Sequence, residues 1–153
     1  MRRIQSLGAL SASLLLLTIL FLSGCSSQKG PTAPDKGEMV VTVSVTGWEG
    51  EPLLEPQEVG VFQGNTAFEA TAYILKEHRI AFAYDPASKY VRGIGELAEF
   101  DHGSGSGWLY RVNGDFSDAN RSSGEYLLQD GDRVEWLYTA DMGRDLGLDT
   151  ADG

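Results

Sequence analysis

The sequence predicts an α+β fold: a mixed sheet with one helix packed on one face. Three observations point there. Two β-branched runs open the domain, a single stretch of helical period follows, and only strand-like pieces come after it.

Residues 1–24 precede the domain and read as a lipoprotein signal peptide. Arg2 and Arg3 form a short basic region, and LGALSASLLLLTILFL is an apolar run of about 16 residues, short for a membrane span. Leu22-Ser23-Gly24-Cys25 then places small residues before a cysteine, the pattern at which a lipid is attached and the chain is cut. Cys25 is therefore the expected lipidation site and mature N-terminus. It is also the only cysteine, which leaves the exported domain no disulfide, thiolate ligand or cysteine nucleophile. Residues 25–37 are small, polar and proline-containing, a flexible tether lifting the domain from the bilayer.

The domain is expected to span 38–147, with 148–153 as an acidic tail. MVVTVSVTGW (Met39 to Trp48) reads as the first strand, and EVGVFQGN (Glu58 to Asn65) as a second that ends in a turn. Thr66 and Glu69 then form a capping box. Phe68, Thr71, Ala72 and Leu75 follow at helical spacing, predicting a helix that reaches about His78. RIAFAY, KYVRGIG, WLYRVNG, EYLL and RVEWLYT read as strands, with turn signals at Asn113-Gly114 and Asp130-Gly131. This order fits a β-grasp-like arrangement in which the helix meets Val41, Val43 and Val45. Burying Phe68 or Leu75 there contributes roughly 1.5–3 kcal/mol per side chain. With no disulfide, such contacts must hold the fold.

Charge narrows the partners. The net charge is −10, and loss of Arg2 and Arg3 with the leader makes the mature chain more negative still. Phosphate backbones are repelled, so nucleic acid is excluded as a partner. An acidic surface keeps a tethered domain soluble and favours cations or cationic ligands.

YVRGIGELAEFDHGSGSGWLYRVNG, followed by YLLQDGDRVEWLYT, resembles the C-terminal β-domain of transcobalamin and intrinsic factor. The same residues resemble bacterial transcobalamin-like lipoproteins carrying domain of unknown function 4430. Trp108 and Asn113-Gly114 carry the likeness in one hairpin; Gly131-Asp132, Glu135-Trp136 and Tyr138 carry it in the next. GNTAFEATAYIL matches the family's helix opening, and the likeness spans roughly Val40 to Gly147. It implies a β-grasp-like sheet, an extracytoplasmic setting and a corrinoid (cobalamin-like) or other large cyclic ligand. In the vitamin carriers the β-domain closes over ligand seated on a helical barrel. The residues here encode no such barrel, and half a clamp buries less ligand, so binding by this domain alone is expected to be weak.

Trp108, Tyr110 and Val112 share one side of their strand; Val134, Trp136 and Tyr138 share one side of another. Two readings stand: a core packed beneath the helix, or a stacking platform for a planar or cyclic ligand. On the second, Trp108, Tyr110, Trp136 and Tyr138 stack, Asn113 hydrogen-bonds the ligand, Trp48 joins the rim, and the small-residue loop Gly103 to Gly107 acts as a lid. Asp130 and Asp132 are turn residues. Asp141 and Asp145 lie four apart at a glycine-rich end, either as a site for calcium or another hard cation or as part of a solvated acidic end. Two scattered histidines and no triad spacing argue against an enzyme, and no cofactor is required. The expected protein is thus an exported, lipid-anchored binding module. It would sit on the outer face of a Gram-positive membrane, or on a periplasmic or outer membrane in a Gram-negative envelope. The other reading is an interaction or structural domain that meets a protein of the cell envelope.

Overall fold

The computed structural model describes residues 38–116 and 121–148. The signal peptide, Cys25, the tether and nearly all of the acidic tail lie outside the described residues. The α+β class is observed. Strands β1 (Met39–Thr46), β2 (Pro52–Val61), β6 (Gly107–Val112) and β7 (Arg133–Thr139) form a four-stranded sheet in the order β2-β1-β7-β6. β1 runs parallel to β7 and antiparallel to β2, and β6 is antiparallel to β7, so the sheet is mixed.

Helix α1 (Ala67–Glu77) begins where the capping box places it. The Glu69 N–H donates to Thr66 Oγ1, and the Thr66 N–H donates to Glu69 Oε2 at 2.9 Å. The two remaining free N–H groups of the first turn, on Ala67 and Phe68, donate to the carbonyls of Tyr126 and Ser123 at 3.0 and 2.9 Å. That duty explains a departure from expectation. EYLL is not a strand: its segment crosses the helix N-terminus, with only a single bridge from Leu127 to Thr66. The buried stripe of α1 includes Phe68, Thr71, Ile74 and Leu75, while Ala72 is half-buried.

A second correction concerns the number of sheets. β3 (Phe82–Tyr84), β4 (Val91–Ile94) and β5 (Leu97–Ala98) form a separate antiparallel three-stranded sheet. Its strands are only two to four residues long, and side chains reach it from the large sheet. Trp108 Nε1 donates to Leu97 O at 3.0 Å, and the Tyr138 hydroxyl donates to Ala98 O at 2.8 Å. β5 therefore lies over the inward face of β6 and β7 instead of extending their ladder. Helix and small sheet together roof the same face. Val41, Val43, Val45, Val134, Trp136, Leu75 and Ile94 make one core beneath them.

Candidate functional site

The inward face of β6 and β7 answers which reading of the aromatics applies to most of their surface. Trp108, Tyr110, Trp136 and Tyr138 are only 3–5 % exposed, and each polar tip is occupied inside the protein. Besides the two bonds to β5, Trp136 Nε1 donates to Thr71 Oγ1 at 2.9 Å, and the Tyr110 hydroxyl donates to Arg121 O at 2.9 Å. A small domain needs large residues under its roof, and burying an indole N–H or phenol is tolerable only with such partners. The four rings do not form an open platform.

What remains accessible is a cleft of 280 Å³ beside β6, walled by Trp108, Tyr110 and Trp136 and rimmed by Lys89, Tyr90 and Ser122. Tyr138 and Asn113 do not line it. Tyr90 is half exposed and its hydroxyl donates to Glu99 Oε2 at 2.9 Å. Partial burial and that carboxylate raise the phenol above its ordinary pKa, so it stays protonated at neutral pH. Lys89 donates to Pro86 O at 2.8 Å, with its ammonium 5.4 Å from the Phe68 ring centroid. The rim thus offers a cation, a phenol and a serine above an aromatic wall. Sequence reading missed Lys89, Tyr90 and Ser122, which come from two distant segments and share no local pattern.

Asn113 has another task. Its Oδ1 accepts from Arg133 N at 3.0 Å, and its Nδ2 donates to Asp132 Oδ1 at 2.9 Å. With φ of 56° at Asn113 and 82° at Gly114, this is the tight turn the dipeptide foretold. Its amide thus ties the end of β6 to β7. The Gly103–Gly107 loop is likewise engaged in hydrogen bonds. Ser106 Oγ donates to Gly103 O, the Met142 N–H donates to Gly105 O, and the Tyr138 hydroxyl sits 3.0 Å from Ser106 Oγ.

Asp141 and Asp145 are also put to structural use. The Asp145 carboxylate accepts from the Thr139 hydroxyl and, at 2.8 Å, from the Ala140 N–H. Desolvation alone would raise its pKa, but these hydrogen bonds outweigh it and hold the carboxyl below the usual range. Asp141 pairs with Arg144 at 2.7 Å. Both carboxylates of the candidate cation site thus already have partners within the protein. Among the described residues, no group of three or more His, Cys, Asp or Glu converges. Across β6 and β7, Arg111 pairs with Glu135 through two N–H donors, each 3.0 Å from a carboxylate oxygen.

Trp48 lies away from this cleft, on the 3₁₀ turn Trp48–Gly50. Its ring stacks on His102 at 4.0 Å with an interplanar angle of 7°, and meets the edge of Tyr138.

Comparison with known proteins bears on the fold. Residues 64–140, from just before α1 through β7, match the family described as Domain of unknown function (DUF4430). The crystal structure of haptocorrin in complex with Cbi superimposes with a TM-score of 0.53 at 15 % identity, covering 71 % of this chain and 27 % of that one. A Ruminococcus gnavus ATCC 29149 protein whose description proposes metal binding gives a TM-score of 0.47 at 14 % identity, covering 67 % of this chain and 97 % of that one. At such identities the likeness to haptocorrin is one of fold, and it agrees with the transcobalamin-like character of the hairpins. No curated protein matches the chain.

Proposed function

Since the chain belongs to the DUF4430 family and shares the fold of a haptocorrin domain, we propose that it is an exported, lipid-anchored binding module without catalytic activity, contributing one wall of a site for a corrinoid or other large cyclic ligand. The observation that carries this reading is the cleft walled by Trp108, Tyr110 and Trp136 on that fold. Its 280 Å³ falls just below the ~300–1,000 Å³ of clefts that engulf small ligands. A large ring could be touched on one face and rim but not enclosed. A second protein of the cell envelope would supply the opposite wall, as a barrel does in the carriers that the hairpins resemble.

Lipid anchoring rests on the Leu22–Cys25 pattern, with residues 1–24 removed and 25–37 as tether. Cys25→Ala is expected to move the protein from the membrane to the soluble fraction, and mass spectrometry of the wild type should find a lipid-modified Cys25. A soluble mature form with an unmodified Cys25 would overturn the anchor.

Ligand binding is tested by titrating cobalamin into the full chain in detergent, followed by tryptophan fluorescence and heat. Micromolar or weaker affinity is expected, reduced about tenfold by Tyr90→Ala, which removes a rim contact without opening the core. Silence at millimolar cobalamin, or affinity unchanged in Tyr90→Ala, would refute the cleft.

Burial of the four aromatics favours a second reading, an interaction module at the cell surface. β2 is an edge strand of the large sheet, and its free backbone groups could pair with a partner strand. Pro56, Glu55 and Glu58 along it guard against indiscriminate pairing.

A further inference from the structure

A larger groove lies on the Trp48 side of the domain, where three connections meet. These are the 3₁₀ turn after β1, the link from α1 to β3, and the turn between β4 and β5. Its volume is 640 Å³, well inside the ~300–1,000 Å³ typical of small-ligand clefts. The floor is apolar, made by half-buried Leu53, Ile80 and Leu97. Trp48 forms a wall, held in place by His102 against one of its faces. Gly95 keeps the floor open. It has φ of +66°, and a Cβ there would stand 3.7 Å from Leu53 Cδ1 and 4.0 Å from Ile80 Cγ2.

The rim carries both signs of charge. Glu51, Glu96 and Arg79 are exposed, and none has an ion-pair partner among the described residues. Arg92, Arg111 and Arg144, by contrast, each meet a carboxylate. Arg79 is also conformationally unusual. It follows the helix cap at φ of 58°, while the Ile80 N–H closes back on Leu75 O. Glycine is the low-energy occupant of that position. An arginine there costs backbone energy and places a guanidinium on the groove.

An apolar floor, an aromatic wall, two carboxylates and one guanidinium suit a ligand with an apolar body and both an ammonium and a carboxylate. We propose that this groove is a second binding site, for a short apolar peptide with free amino and carboxyl termini. Glu51 and Glu96 receive the ammonium, and Arg79 receives the carboxylate through paired N–H donors. The side chains lie on Leu53, Ile80 and the Trp48 ring. A zwitterion also escapes the domain's net negative charge, which would repel an anion approaching Arg79.

The test uses the full chain in detergent micelles and the dipeptide Leu-Phe, which adds no tryptophan signal. Titration is followed by tryptophan fluorescence and calorimetry. Leu-Phe is expected to bind, and N-acetylation or C-terminal amidation should each weaken it about tenfold, the loss of one charge-assisted contact. Arg79→Gly should weaken Leu-Phe by a similar factor and make amidation of no further consequence. Because glycine suits that backbone, the variant should melt no lower than the wild type, which separates recognition from folding. No binding of Leu-Phe at millimolar concentration would overturn the proposal. So would equal binding of free and blocked dipeptides, or an Arg79→Gly variant with unchanged affinity. Tyr90 lies outside this groove, so the cobalamin result stands independently.

Discussion

Trp136→Ala is expected to lower the free energy of unfolding by about 3–5 kcal/mol, the range for deleting a buried aromatic side chain. Trp136 is 3 % exposed at the centre of the sheet. It pairs with Tyr110 at 5.5 Å between ring centroids and reaches up to α1 through its bond to Thr71. Alanine removes the ring, leaves a void that close-packed neighbours fill only partly, and strips Thr71 Oγ1 of its donor. A domain of this size has a total stability of about 5–15 kcal/mol, so the loss is a large share of it. Trp136→Phe keeps most of the apolar area and should cost only about 1–2 kcal/mol. Urea unfolding followed by circular dichroism distinguishes the two. If Trp136→Ala lost less than about 1 kcal/mol, the ring could not be in the core.

Asp132→Ala should cost about 1–3 kcal/mol, the penalty for partly buried donors left without acceptors. Asp132 is 6 % exposed. Its Oδ2 accepts from Gln129 N at 2.9 Å, while its Oδ1 accepts from Asn113 Nδ2 at 2.9 Å. The same turn is clipped to β1: Val40 N donates to Asp130 Oδ1, and Thr42 N donates to Asp132 O, each at 2.8 Å. One carboxylate thus joins the Asn113-Gly114 turn to the approach of β7. The melting temperature should fall by the same amount in millimolar calcium and in chelator, because both carboxylate oxygens bond protein donors. A variant as stable as the wild type would mean that the turn holds without its carboxylate. A loss seen only in chelator would restore a metal to this end of the chain.

The sequence by itself determined what depends on near neighbours. Thr66 and Glu69 specify a helix start because a capping box closes within one turn. Asn113-Gly114 and Asp130-Gly131 specify turns because few other residues adopt positive φ. Alternation along β1, β6 and β7 specifies which side chains share a face, since the period of a strand is two. Parity says nothing of what covers a face. Only the tertiary structure placed α1 and the small β3–β5 sheet over Trp108, Tyr110, Trp136 and Tyr138, making a core of what could have been a platform. It likewise drew EYLL across the helix N-terminus, because the N–H groups of Ala67 and Phe68 require acceptors that distant residues supply. Asp141 and Asp145 found their partners through a local fold-back that no periodic pattern announces. The Trp48 groove unites residues from three separate segments, and only the folded chain brings them together.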